Sequence, residues 1–250
     1  MHNAPKFSIV TCTWNSAATL ADTLASIRAQ SCQDLEHIFV DAGSTDATLA
    51  MLDAYPGNKL LLRDVTGGIS RAMNRGIEAA SGEFVAHLHS DDYYAGADVL
   101  AGVAAALAAS RRDWLFGAVD VLKDGALIGA HPQRPFSYFA LASGSAFIGH
   151  PAVFVRRALF AEVGMFDERL KYAMDIDLWL RLAAAHAPAT LARPLAVFRD
   201  HAGSVSSANR IKAREEELRV RRRHAIKAPL AFGIYCLRYL KRMRELRRRV

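Results

Sequence analysis

Over its first ninety residues the chain alternates short apolar runs with segments of helical periodicity, and this constrains the fold more than any other feature. Phe7 to Thr13 reads as a strand. Leu20, Leu24 and Ile27 then repeat at helical spacing and predict a helix across roughly 17–30. His37 to Val40 is a second strand, ending at Asp41, and Lys59 to Arg63 a third. Ile69 to Ala80 reads as a helix stopped by Ser81-Gly82, and Phe84 to Leu88 as a fourth strand. Strand and helix in alternation predict a parallel α/β sheet with right-handed crossovers. Beyond Asp92 the pattern loosens. An Ala-rich helix is expected at 97–109, two strands within 114–131 around Lys123-Asp124-Gly125, and a helix at 175–186. Residues 132–150, with Pro132, Pro135, Gly144 and Gly149, read as loop.

Open α/β sheets bind ligands at the carboxyl ends of their strands. Polar residues stand at four successive strand ends: Thr11, Thr13 and Asn15, then Asp41, then Asp64, then Asp91 and Asp92. Together they predict one rim. The adjacent carboxylates Asp91 and Asp92 are hard oxygen ligands of the kind that suit Mn²⁺ or Mg²⁺, which in turn grip phosphates. Each residue also has a plainer reading as a turn or cap residue, strongest for Ser44 and Asp46 ahead of the next helix. Thr11 to Ser16 contains no glycine, so it is not a dinucleotide-binding loop, and no P-loop, zincin or nucleophile-elbow signature occurs.

At 250 residues and 52% apolar, the chain can bury one large core. Cys12, Cys32 and Cys236 are far apart and form no CxxC pair, which argues against a disulfide framework or zinc site and fits a reducing, cytoplasmic compartment. The start has no signal-peptide pattern, and no run of 18 apolar residues predicts a membrane span. The net charge of +7 is segregated: residues 210–250 hold fifteen Lys and Arg against four Glu, a net of +11, which leaves −4 on residues 1–209. A basic tail on an acidic body points to an anionic partner.

The order of the motifs resembles family 2 of the inverting glycosyltransferases, which use the GT-A fold. Ser8-Ile-Val-Thr-Cys-Thr-Trp-Asn15 looks like the family's opening strand and loop, and Val40-Asp-Ala-Gly-Ser-Thr-Asp46 like its "VDDGSTD" turn. Gly68-Ile-Ser-Arg-Ala-Met-Asn-Arg-Gly-Ile77 is similar to the "GI..AMN.GI" helix of a bacterial polysaccharide subgroup. His89-Ser-Asp-Asp92 stands at the DxD position. Gly164-Met-Phe-Asp-Glu168 followed by Asp175-Ile-Asp-Leu-Trp-Leu-Arg181 looks like "G.FDE … D.DLWLR". Each motif is weak alone; five in the family order are specific, and they span residues 7–205.

The resemblance implies an α/β GT-A fold with a mostly parallel central sheet flanked by helices and a basic helical C-terminal tail. It implies a UDP- or GDP-linked sugar donor, with transfer of hexosyl or N-acetylhexosaminyl type. Asp41 would hydrogen-bond the nucleobase, with Thr11, Thr13 and Asn15 in the same pocket and Asp64 on the same rim. Gly67-Gly68 would let backbone approach the donor, and Asn74 is a candidate donor contact or else an exposed helix polar residue. Asp91 and Asp92 would hold Mn²⁺ or Mg²⁺ on the diphosphate. Asp175 would be the base, with Asp177 its competitor; Arg181 would brace their helix, and His150 would line the acceptor side or be structural. His89, Thr66, Arg71 and Met174 depart from the family pattern and bear on donor sugar more than on reaction class.

The expected organisation is a catalytic domain over 1–209, with a donor half at 1–95 and an acceptor half at 96–209, and a separate amphipathic tail at 210–250. The apolar stretch Pro229 to Leu240, followed by Lys241-Arg-Met-Arg and Arg247 to Arg249, is too short to span a bilayer but suits an anionic interface. The expectation is a peripheral enzyme on the cytoplasmic face of the inner membrane, acting on a glycan or polyprenyl-linked acceptor. The rivals are a nucleotidyltransferase acting on sugar phosphates, which would show a Gly-rich basic loop after the first strand, and a nucleic-acid-binding protein using the tail, which would interleave aromatics with the basic residues.

Overall fold

A computed structural model describes residues 4–129, 136–200 and 209–248. Among them, strands β1 (Phe7–Thr13), β2 (Leu35–Asp41), β3 (Lys59–Leu62) and β4 (Phe84–His87) alternate with helices α1 (Leu20–Arg28), α2 (Thr48–Ala54) and α3 (Ile69–Ala79). β5 (Tyr93–Tyr94), α4 (Val99–Ser110), β6 (Trp114–Lys123), β7 (Ala126–Leu127), α5 (Tyr138–Ala142) and β8 (Val153–Arg156) follow. The chain continues through α6 (Leu159–Val163), α7 (Met174–Ala185), β9 (Ala189–Asp200), α8 (Arg210–Arg223) and α9 (Pro229–Arg247).

The strands form one sheet in the order β3-β2-β1-β4-β8-β6-β9-β5, with β7 added on β6. β3, β2, β1 and β4 are mutually parallel, as expected for strands joined by helical crossovers. β8 then runs antiparallel to both β4 and β6. Chain order reverses direction across the sheet at β1, which lies between β2 and β4, so the ligand crevice of such a sheet falls at the carboxyl ends of these strands.

Both faces of the sheet are covered, which is why its strands read as apolar runs rather than alternating ones. Phe7, Ile9, Phe84 and Ala86 point to the layer that holds Ile27 of α1 and Val103 of α4. Val10, Cys12 and Val85 point to the opposite layer, with Met73 and Ile77 of α3 and Leu178 and Trp179 of α7. Gly76 lets α3 approach β1 closely: a Cβ there would lie 2.3 Å from Val10 Cγ1.

The stretch 136–150 contains α5, whose N-terminus is capped by the Ser137 hydroxyl, so the expected loop is partly helical; Pro132 and Pro135 lie outside the described residues. The expected break at 209 does not separate two packed bodies. Val220 of α8 and Ala231 of α9 are fully buried and belong to the same core as α3 and α7.

Candidate active site

The parallel register places Thr13 beside Asp41 at the ends of β1 and β2. Asp41 is fully buried. Its Oδ1 accepts from the backbone N–H groups of Gly43 (2.9 Å) and Ser44 (2.8 Å), and its Oδ2 from the hydroxyls of Thr13 (2.7 Å) and Ser44 (2.6 Å). Burial alone would raise this carboxyl; the hydrogen bonds from Ser44, Thr13 and Gly43 outweigh it and hold Asp41 below the usual range. Asp41 therefore folds the turn from beneath. Asn15 belongs to the same network: its N–H donates to Ser44 Oγ at 2.9 Å and its Oδ1 accepts from Thr45 N at 2.9 Å, with Asn15 itself at φ 48°. Beside it Trp14 stands 68% exposed on the rim, a large aromatic that the sequence reading quoted but gave no role.

Asp64 ends the third strand segment in a left-handed turn at φ 58°, and its Oδ1 lies 3.6 Å from where a Cβ on Gly43 would be. Asp64 and Gly68 are both exposed. Gly68, at φ 101°, starts α3 in a conformation that side-chain-bearing residues rarely adopt.

Two expected ligand contacts are engaged elsewhere. Thr11 is fully buried, its hydroxyl donating to Leu88 O (2.7 Å) and lying 2.8 Å from His37 Nε2, so it ties β1 to its two neighbours below the rim. Asn74, expected as a donor contact or else an exposed helix polar residue, is buried. Its Nδ2 donates to Phe166 O (2.9 Å) and Glu168 Oε1 (3.1 Å), and its Oδ1 accepts from Phe166 N (3.0 Å), which consumes the amide in clamping α3 to the 166–168 segment.

The acidic turn after β4 is held from two sides. Thr23 of α1 donates to Asp92 O at 2.7 Å. On β9, Arg199 donates from its N–H to Asp92 Oδ1 (3.1 Å), from Nε to Asp91 O (3.1 Å) and from Nη2 to Asp22 (2.7 Å). Asp92 is 2% exposed, and burial together with the Asp91 charge pushes its carboxyl well above the usual range. A buried carboxylate beside a like charge is what a divalent cation would relieve. No group of three or more His, Cys, Asp or Glu among the described residues could hold a metal, so this pair would leave most positions to phosphate oxygens and water. Arg199 was invisible to the sequence reading, being a lone Arg late in a strand.

Between this turn and α7 lies a wall of neutral imidazoles. His89 stacks on His150 with centroids 5.0 Å apart, and His87 lies 5.5 Å from His150. His150 contacts Trp179 of α7 at 5.8 Å. Burial pushes His87 down to about 3 and also lowers His89 and His150, so the wall is uncharged at neutral pH. Trp179 stands one helical turn beyond Asp175, so the wall connects the acidic turn to the face of α7 that carries Asp175.

Asp175 accepts from Ile176 N at 2.7 Å, and its carboxyl is raised to about 6, first by burial and then by the charge of Glu217. Asp177 points elsewhere. It binds Arg181 Nε (2.9 Å) and His224 Nε2 (3.1 Å), and these partners hold it below the usual range against the cost of burial. Arg181 also donates to the carbonyls of Val163, Gly164 and Met165, so it braces the helix as expected.

Residues 8–164 match the family described as Glycosyl transferase family 2. A PGL/p-HBAD biosynthesis glycosyltransferase of Mycobacterium bovis is 36% identical over 183 residues, covering 71% of this chain and 70% of that protein. The S. aureus TarS 1-349 structure in complex with UDP superposes with a TM-score of 0.66 at 23% identity, over 86% of this chain and 65% of that one, just under two thirds of its length. The mannosyltransferase PcManGT from Pyrobaculum calidifontis, in complex with GDP-Man and Mn²⁺, gives a TM-score of 0.66 at 18% identity over 94% of this chain and 74% of that one. The two structures share the GT-A fold seen here.

Proposed function

Because the chain belongs to glycosyl transferase family 2, we propose that it moves a sugar, with inversion, from a nucleoside diphosphate to a hydroxyl of a glycan or polyprenyl-linked acceptor in cell-surface polysaccharide synthesis. The observation that carries this reading is the pair of carboxylate sites joined by the histidine wall: Asp91 and Asp92 at one end, and Asp175, raised to about 6, at the other. Inversion needs one group to accept the proton of the attacking hydroxyl on the face opposite the leaving diphosphate. A carboxyl raised toward neutrality by burial is suited to that task. The structural neighbours' complexes with UDP and with GDP-Man support a nucleotide-sugar donor. Family membership favours sugar transfer over the nucleotidyl-transfer and nucleic-acid readings.

The rim built on Thr13, Asn15, Asp41 and Ser44, with Trp14, Asp64 and Gly68 exposed around it, would receive the nucleotide. Asp91 and Asp92 would hold Mn²⁺ or Mg²⁺, which would neutralise charge on the departing diphosphate. The complex of PcManGT with Mn²⁺ supports that choice of ion. Arg199 keeps the acidic turn in place during turnover, and Asp175 takes the acceptor proton.

The outer face of α9 fits an anionic membrane surface on the cytoplasmic side. Leu230, Leu237 and Leu240 are exposed along it, with Ile226 just ahead, and Lys241 and Arg244 continue the same stripe. No helix among the described residues is long and apolar enough to cross a membrane.

Calorimetry with UDP and GDP tests the donor site. Binding should strengthen with Mn²⁺ and collapse with EDTA or in Asp92→Ala. Equal affinity under all four conditions would take the metal out of the reading, and no binding of either nucleotide would remove the donor assignment.

A further inference from the structure

Helix α8 reaches into the acceptor half with charged side chains that are buried. Glu216, Glu217 and Arg221 are each 5% exposed, a state these residue types rarely reach without partners. Glu216 Oε1 accepts from three successive backbone N–H groups, those of Lys171 (2.9 Å), Tyr172 (2.5 Å) and Ala173 (2.9 Å). Successive N–H groups converging on one anionic oxygen form a nest. Ala173 is the capping residue immediately before α7, and α7 has no side-chain cap of its own at that end. Glu216 thus supplies from another helix the acceptor and the negative charge that a helix N-terminus favours.

Glu217 lies between Arg214 (2.6 Å) and Arg221 (2.9 Å). Arg221 gives its Nη1 to the carbonyls of Leu141 and Ala142 at the end of α5, and its guanidinium covers the Tyr235 ring of α9 at 4.5 Å. The whole set is paired, and the backbone it fixes leads directly into Asp175.

We propose that α8 is a positioning element for the transfer reaction, with Glu216 fixing the backbone from which Asp175 projects and the Glu217–Arg221 pair anchoring α8 to α5 and α9 beside it. This rests on the reading of Asp175 as the base. None of the three touches substrate; all act through Asp175. A base must be held to within about half an ångström of its productive position, and a misplacement of about 1 Å costs on the order of 10²-fold in rate. After burial itself, the Glu217 charge on α8 opposes ionisation of Asp175 and that of Arg221 favours it. Glu217 is kept anionic, its two arginines outweighing the cost of its burial.

The test uses full-length protein and variants at Glu216, Glu217 and Asp175. Glu216→Ala removes the acceptor, whereas Glu216→Gln keeps an amide oxygen in its place. Hydrogen exchange at the amides of 171–173 should accelerate in Glu216→Ala and stay slow in Glu216→Gln. Release of UDP or GDP from the nucleotide sugar should fall about 10-fold or more in kcat in the first, with KM for the donor unchanged, and by no more than about 3-fold in the second. Glu217→Gln is read without substrate, through the carboxyl ¹³C titration of Asp175, assigned by its absence in Asp175→Asn. The titration should move down by about half a pH unit or more. Wild-type turnover in Glu216→Ala, or an unmoved Asp175 titration in Glu217→Gln, would overturn the proposal. If Glu216→Ala does not fold, Glu216→Asp takes its place in the exchange and turnover measurements, and wild-type values of both would overturn the proposal. Activity surviving in Asp175→Asn would instead sink the base assignment, leaving exchange and titration to judge α8.

Discussion

At the residue scale the proposed transfer chemistry rests on one carboxyl kept where carboxylates are unfavourable. Asp175 is raised from the ordinary 3.8 to about 6. Between about pH 4 and 6 the folded chain holds a proton that the unfolded chain has already lost, so this group's contribution to stability falls as pH rises through that window. Above pH 6 the penalty is complete. Asp175→Asn escapes it and should be more stable than wild type by on the order of 1–3 kcal/mol at pH 7.5, with the difference shrinking toward pH 4. The same variant should lose about 10²-fold or more in kcat while keeping nucleotide affinity. In wild type the rate should rise with pH through about 6. Denaturant titrations at the two pH values, paired with turnover, check both halves. Asp177 predicts the opposite pattern: bound to Arg181 and His224, it should lose stability on change to Asn and keep most of its rate. A dead but well-folded Asp177→Asn with an active Asp175→Asn would reverse the assignment.

At the scale of elements, the contact of α3 with β1 sets the crevice, because α3 begins at Gly68 on the rim. Gly76 faces Val10 so closely that Gly76→Ala must push the Val10 side chain aside, and overpacking of this kind costs about 1–3 kcal/mol. Val10→Ala should relieve the clash, so the double variant should be more stable than the sum of the two singles; strict additivity in urea melts would show that the helix shifts instead. The first four strands and their helices were legible in the sequence because each strand is a short apolar run, β1, β2 and β4 being buried on both faces, and each helix carries one apolar stripe. β9 was not legible. Its Arg193-Pro194 reads as a break, yet Pro194 lies at the register shift opposite Ala118, a bulge where no ladder N–H is needed. Asp41, Asp91 and Asp175 were legible as candidates from motif order. The engagement of Asn74 and Thr11 was not, since it depends on the Phe166 and Leu88 backbone, which no spacing rule connects to them. Buried Glu216 and Arg221 look like solvated charge in the sequence for the same reason: their partners are backbone groups some 45 and 80 residues away.

At the scale of the whole molecule, charge and apolar surface are segregated together. The tail carries +11 against −4 on the rest, and α9 divides its own side chains between two duties. Ala231, Tyr235 and Met243 are buried against the body, whereas Leu230 and Leu237 are each 70% exposed. Because the inner face is part of the core, deleting the tail would confound folding with docking; substitutions on the outer face separate them. Leu230→Glu with Leu237→Glu should leave the melting temperature and UDP binding within error. It should also abolish co-sedimentation with vesicles containing anionic phosphatidylglycerol. Each exposed leucine entering the interface contributes on the order of 1–2 kcal/mol, and each basic residue near the anionic leaflet about 1 kcal/mol. Raising salt should therefore weaken wild-type binding without eliminating it, because the leucines are not screened. If the double variant still sediments with vesicles and salt alone releases it, the surface is electrostatic only and the leucines serve some other contact.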